Sequence, residues 1–569
     1  MTAARAGRPA RRLDEPMVAV LEKRGRFLVA EPLFGQGPRT AVERGAAGPG
    51  DLVLVGAGKR GARVLRVLGR PDRARDVLEG LMLDRGLYRS YPRRAAGEAE
   101  DSTDEPYAAD ARVDLTGVPT FTIDPDDAKD FDDAISARRE DGRVRVWVHI
   151  ADVTAYLRPG GHLDREATRR ATSVYVPGAV EPMLPEVLST SACSLRPGEE
   201  RLAVTVEMVM DGADVVSVEF HRSRIRSDAR LTYGQVDAVF AGRERAAEPW
   251  AEPLELARDT ARALHARRDS LEVGAPEPVF EFDSEGHVTG VRQDEQTESH
   301  RLIEALMVLA NEQVAGYLED RRLPALYRVH ERPEPRSVEF LADQLATLDI
   351  PTPPLPKNMT PQQAADAAAE MSRIVAREAP DRRAIGVLVL RALKQAFYSP
   401  RNLGHAGLSS PRYTHFTSPI RRFPDVVVHR ALLQGLGIDE AATPASELEE
   451  LGVHSSATER AAMKIERDAD DVVLAFLLQR VLAEQEEPLF DGEVVGLIEK
   501  GAFVRFGDAG FEGFMGVRRM REWWTLNEQG TALLTESGRA LRLGDPIRVT
   551  VERVDAPRGR VDLAPIVAA

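Results

Sequence analysis

Six carboxylates crowd into ten positions of the segment TFTIDPDDAKDFDDAIS: Asp124, Asp126, Asp127, Asp130, Asp132 and Asp133. Like charges packed so closely repel one another unless they lie in water or share a cation. Phe121, Ile123, Phe131, Ala134 and Ile135 flank or interrupt the acids and anchor the segment in a core. Whatever the fold, it has to present an acidic loop at the edge of a buried layer. An EF-hand does not fit, because counting from Asp124 puts Ala128 where an oxygen ligand belongs and Lys129 where glycine is required. Two readings remain. One is a solvated acidic loop; the other is a set of hard oxygen ligands for Mg2+ or Mn2+ that serves phosphoryl chemistry. The apolar flanks favour the second.

A second constellation is HFTSPIRRFPDVVVHR, residues 415–430. Arg421 and Arg422 follow Ser418 and Pro419, a turn or first helical turn that offers guanidinium forks and backbone N–H groups to a phosphate. Paired arginines are often plain surface charge. These lie among Phe416, Ile420 and Phe423, with Tyr413 and His415 nearby, which fits a lined groove equally well. Acidic metal ligands and arginine clamps are together what phosphodiester hydrolysis needs.

At 569 residues the chain is long enough for several domains. Its one cysteine, Cys193, cannot form an internal disulfide, which argues for a reducing compartment and against a zinc ribbon. The net charge of −15 argues at face value against a polyanionic partner. Its distribution reverses that inference. Residues 1–70 carry 14 basic and 6 acidic side chains, whereas residues 111–485 carry 45 and 61. The amino-terminal arm can meet a phosphate backbone while the central body holds the acids.

The start of the chain has arginine clusters, but Asp14 and Glu15 stand where a signal peptide would be apolar. Runs such as VVLAFLL (472–478) are too short to cross a membrane. A cytoplasmic location without membrane association is expected. Residues 1–15 read as a basic flexible tail, and 16–70 as short strands broken by Gly and Pro, a small β-barrel. Residues 71–112 read as a connector that ends in an acidic linker, EAEDSTDEPYAAD (98–110). A mixed α and β body occupies 113–485, with long helical patterns from about residue 298. One of these starts with Thr360, Pro361 and Gln363 as a capping box. Strand patterns return over 486–569 as a second small barrel. The expected class is thus an α+β multidomain chain. Gly56, Gly58 and Gly61 match a dinucleotide-binding fingerprint, but the residues after them alternate like a strand, so a hairpin is expected and no nucleotide cofactor.

The body resembles the RNB catalytic domain of the RNase II and RNase R family of 3′→5′ exoribonucleases, with motifs closer to RNase R. The matching pieces are TIDPDDAKDFDDAIS, HIADVTAYLRPGGHLDREA, SVYVPGAVEPMLPEVLSTSACSL, RSDARLTYGQV, HRLIEALMVLAN, YRVHERP, YTHFTSPIRRFPDVVVHR and KIERDADD, in family order over about 113–485. The resemblance implies a cold-shock-like OB barrel at 16–70 and an S1-like RNA-binding barrel at 486–569. It also implies that Asp124, Asp130, Asp132 and Asp133 are the metal aspartates, with Asp132 the most important to the chemistry. Asp126 and Asp127 have no such role. Arg421 matches the arginine that steadies the scissile phosphate. Tyr175 matches the aromatic that positions the 3′-terminal nucleotide, Phe280 aligns with a stacking aromatic, and Arg422 joins them in binding RNA. Tyr233, Glu304, His330 and Glu466 lie in motif blocks that line the channel.

The expected activity is Mg2+-dependent hydrolysis of single-stranded RNA to nucleoside 5′-monophosphates by a monomer, with Mn2+ as a substitute. Fuller family members carry two amino-terminal barrels where one fits here, and many RNase R proteins carry a Lys-rich tail absent after Ala569. Phe503, Phe506, Phe511 and Phe514 offer stacking faces, of which at most two are free to touch RNA. A DEDD-type exonuclease would spread its acids over separate motifs. The rival from another class is a non-catalytic RNA-binding regulator, which would tolerate loss of the four aspartates and Arg421.

Overall fold

The computed structural model describes residues 16–566 except 36, 44, 46, 59–60, 108–111, 269–276, 439–440, 485–488 and 521. The expected tail, residues 1–15, lies outside them.

Alternating apolar residues build the central layer. Val146, Val148 and Ile150 of the strand Arg143–Ala151 pair with Met208, Val206 and Val204 of Glu200–Asp211. These six side chains enter one core. The strand period of two sends His149 and Thr205 to the opposite face. Helices Ala251–Arg267 and Glu298–Asp320 cover the first face with Leu254, Leu264, Leu302, Leu306 and Leu309. A second core, containing Leu163, Leu188, Val426 and Leu448, covers the other. The sheet has seven strands in the spatial order Ala229–Thr232, Phe121–Asp124, Asp133–Glu140, Arg143–Ala151, Glu200–Asp211, Asp214–Arg226 and Val113–Asp114. Phe121 pairs with Ile135, so the acidic loop connects two neighbouring strands.

The helix Leu448–Glu484, 37 residues long, is the spine of the molecule. Its Val472, Val473 and Leu477 share one core with Val18 and Leu52 near the amino terminus and with Val494, Val504 and Phe506 near the carboxyl terminus. Gly452 lets this helix approach the strand Phe397–Ser399, because a Cβ there would stand 2.7 Å from the Tyr398 carbonyl oxygen. The amino-terminal sheet region and the carboxyl-terminal barrel meet as well: Arg558 Nε donates to Leu33 O at 2.9 Å.

The carboxyl-terminal segment forms a closed barrel of Phe490–Ile498, Gly501–Phe506, Phe511–Gly516, Arg560–Pro565 and Pro546–Asp555. Alternation puts Phe506 and Phe511 in its core and leaves Phe503 and Phe514 half-buried, with ring centroids 5.2 Å apart. The capping box at Thr360 is present, with Gln363 N–H donating to Thr360 Oγ1 at 3.3 Å.

The described residues of the amino-terminal segment form a five-stranded sheet whose edge strands approach each other where Glu43 N–H donates to Ala62 O at 2.9 Å. Two expectations need correction. The proposed linker is helical from Arg93 to Asp104, because Ala95 and Ala99 bury one face while Glu98 Oε2 accepts the Leu163 N–H at 2.8 Å. Helices also begin earlier than residue 298, with Tyr233–Phe240 and Ala251–Arg267. The three glycines of the apparent fingerprint lie in an antiparallel pair of strands in which Gly58 faces Gly61. Among the described residues no helix is long and apolar enough to cross a membrane.

Candidate active site

The four aspartates leave the sheet at one edge. Asp124 ends the strand Phe121–Asp124, Asp133 begins Asp133–Glu140 opposite Ile150, and Asp130 and Asp132 lie between them. The loop is pinned through its backbone. Ala151 N–H donates to Asp132 O at 2.8 Å, Leu195 N–H to Phe131 O at 3.0 Å, and Phe131 N–H to Ser194 Oγ at 3.0 Å. Ser194 returns a bond to Lys129 O at 2.8 Å. Asp126 and Asp127 are exposed at the tip.

Asp132 is only 5% exposed, and its two oxygens have different neighbours. Oδ1 accepts the Ile420 N–H at 2.8 Å, while Oδ2 stands 3.8 Å from Arg421 Nε. Burial pushes its carboxyl well above the usual range, against the pull of Arg421. Burial also raises Asp133 to about 7, with the Asp124 charge adding to the effect and Arg421 opposing it. Asp124 rises to about 6 for the same first reason, against the nearby Thr122 hydroxyl and the charge of Arg230. Carboxyls raised in this way mark a site short of positive charge.

The adjacent arginines separate. Arg421 has a side chain 48% exposed and donates to Ser418 Oγ at 3.2 Å, so its fork remains open toward the acids. Arg422 turns inward, donating from Nη2 to Asp425 Oδ1 at 2.7 Å, and the same oxygen takes the Ser418 N–H at 2.8 Å. Its Nη2 is thereby tied to the turn that carries it.

Tyr175 is 36% exposed, and its hydroxyl donates to Asp130 Oδ2 at 2.9 Å. Its N–H donates to Glu466 Oε1 at 2.9 Å, so Glu466 of the long helix joins the site. Tyr233 stacks on His300 at 3.8 Å, and burial and the charges of Asp133 and Asp124 raise its hydroxyl. Glu304 is exposed on the helix Glu298–Asp320. Phe280 is half-buried against the core that the two ends of the chain share. His330 stands edge-on to His405 at 5.1 Å and accepts the Gly407 N–H at 3.1 Å.

Sequence reasoning assigned no role to Arg230, Ser194 or Asp425. All three lie inside segments that carry the resemblance, but nothing local in those segments points to the loops they hold.

Residues 112–437 match the RNB domain. The chain belongs to the RNB-domain family. Ribonuclease R of Aquifex aeolicus is 36% identical to it over 88% of this chain and 72% of that protein. Ribonuclease R of Escherichia coli is 34% identical over 83% of this chain and 59% of its own length. The structure of Mycoplasma genitalium RNase R in complex with ribose-methylated single-stranded RNA matches with a TM-score of 0.86 at 25% identity, over 98% of this chain and 90% of that one. The fold alone is shared with yeast Ssd1, a pseudonuclease, at a TM-score of 0.68 and 18% identity over 92% of this chain. A shared fold therefore does not by itself decide catalysis; the site residues do.

The oxygens at the site suit a hard divalent cation. Asp124 Oδ2 is buried without a hydrogen-bond partner, and Asp124 and Asp133 repel each other. Among the described residues no three carboxylate, imidazole or thiolate groups converge into a ready-made cage, so a cation would have to gather its ligands.

Proposed function

We propose that this protein is a 3′→5′ exoribonuclease that hydrolyses single-stranded RNA to nucleoside 5′-monophosphates. The carrying observation is the buried Asp132, oriented by Ile420 and facing an exposed Arg421. A regulator that had lost catalysis would have no use for that costly arrangement. Arg421 binds the scissile phosphate and stabilises the charge that develops on it. Asp132 Oδ2 accepts a hydrogen bond from the attacking water and orients it in line. The P–O3′ bond breaks as water oxygen joins phosphorus, and the terminal nucleotide leaves with a 5′-phosphate. Asp124, Asp130 and Asp133 are the residues that would hold Mg2+, or Mn2+ in its place, and the bound ion would supply positive charge at the phosphate and lower the pKa of a water.

Tyr175 places the 3′-terminal nucleotide while its hydroxyl fixes Asp130, with Glu466 behind it. Tyr233, Glu304 and Phe280 line the approach, and the amino-terminal sheet and carboxyl-terminal barrel act as cold-shock-like and S1-like guides for the strand. The RNA-bound relative of the same fold supports this reading. A cytoplasmic monomer without a nucleotide cofactor completes it. The test is a 5′-labelled single-stranded RNA incubated with protein and Mg2+, with chelator and Asp132→Asn as controls. Mononucleotide release, read as shortening of the labelled strand to a short 5′ remnant and stopping in both controls, is expected; intact RNA, or cleavage that survives the substitution, overturns the assignment.

A further inference from the structure

We propose that Arg230 is a positioning residue for the cation-binding loop, joining its two arms so that Asp124 and the Asp130–Asp133 group stay within reach of one ion. The inference rests on the exoribonuclease reading and concerns a residue to which that reading gives no task. Arg230 sits in the strand Ala229–Thr232, in parallel register opposite Thr122. Its Nη2 donates to Asp126 O at 2.9 Å and also to Pro125 O, the two residues that follow Asp124. Its guanidinium carbon lies 5.6 Å from the centroid of the Phe131 ring, between Asp130 and Asp132. One planar cation therefore holds the loop at two points, one between Asp124 and Asp130 and one between Asp130 and Asp132.

The acids do not converge into a cage by themselves. How readily an ion gathers them depends on how far the loop can spread, and like charges favour spreading. Arg230 opposes this by geometry as well as by charge. One guanidinium nitrogen meets two consecutive carbonyls while the guanidinium carbon lies over an aromatic ring, a combination that the compact ammonium of lysine reproduces only in part. Outer-shell groups of this kind change metal affinity without touching the metal.

The test compares wild type with Arg230→Gln and Arg230→Lys by Mn2+ binding to RNA-free protein, followed by electron paramagnetic resonance. The Gln variant should bind Mn2+ about 10–100-fold more weakly, and the Lys variant should recover part of the loss. Affinity for single-stranded RNA in chelator should be unchanged, a result that a general loss of structure would not give. If Gln fails to fold, the Lys variant alone should still bind more weakly than wild type. A folded Gln variant with wild-type Mn2+ affinity, or full recovery by Lys, overturns the inference. RNA hydrolysis by wild type is followed in parallel. Cleavage by wild type with normal Mn2+ binding by the Gln variant overturns this inference alone; a wild type that neither binds Mn2+ nor cleaves overturns both readings.

Discussion

The backbone N–H of Ile420 donates to Oδ1 of Asp132 across 2.8 Å, joining residues 288 positions apart. That bond leaves Oδ2 as the oxygen on the Arg421 side. The orientation of the most deeply placed acid is thus set by a loop from the far half of the domain.

Replacing Asp132 should separate its two roles. Asp132→Asn keeps an acceptor for Ile420, so thermal melting should stay near wild type while hydrolysis falls by at least roughly 10²-fold. Asp132→Ala leaves the Ile420 N–H unpaired and should cost an additional ~1–3 kcal/mol of stability. Urea unfolding and single-turnover cleavage measure the two; equal stability of the two variants would contradict the orienting role.

The adjacent arginines should answer oppositely. Arg421→Ala removes an exposed side chain, so stability should change by no more than about 0.5 kcal/mol while hydrolysis falls steeply. Arg422→Ala strips the partner from the fully buried Asp425 and should cost about 3–5 kcal/mol. Equal melting temperatures for the two variants would refute this division.

Asp133 ties stability to pH. Its carboxyl is raised, to about 7, so the folded metal-free protein keeps this proton where the unfolded chain has released it. The stability it contributes is complete below the ordinary aspartate value and is lost as pH rises through about 7. Asp133→Asn should therefore gain on wild type between pH 5 and pH 8, by roughly 1–2 kcal/mol, while losing hydrolysis. In the wild type the Mg2+ concentration needed for activity should rise as pH falls from 8 to 6, because cation and proton compete. Parallel pH profiles for both proteins in chelator would count against the raised carboxyl.

In the carboxyl-terminal barrel, Phe506→Ala should destabilise by ~3–5 kcal/mol because its ring is wholly buried. The half-buried pair differs: Phe503→Ala with Phe514→Ala should weaken RNA binding and leave melting nearly unchanged. Fluorescence anisotropy with labelled RNA, read beside thermal melts, distinguishes the two effects. Unaltered binding by the double variant would remove these rings from the RNA path.

Much of the site was legible in the chain. Six acids among apolar residues mark a loop anchored at a core edge, Arg421 stands in a second polar segment with apolar neighbours, and the ordered motifs locate Tyr175 and Glu466. The helix Arg93–Asp104 was harder to read, since two alanines are a faint apolar face among acids and act only once a neighbouring element is present. Arg422 could not be separated from Arg421 by composition, because the difference lies in which way the turn faces Asp425.

The sequence by itself determined the kinds of groups available, their order, and the alternation that makes the central strands two-faced. Tertiary structure alone decided which oxygen of Asp132 is held, which arginine stays open, and that Arg230 reaches the carbonyls of Pro125 and Asp126. Side-chain type and period are local properties of a chain. The Asp132 and Arg230 contacts arise from parallel strand register and loop packing between segments about a hundred to three hundred residues apart, which no local pattern encodes. The Arg422–Asp425 contact, though only three residues long, depends on how its turn is packed.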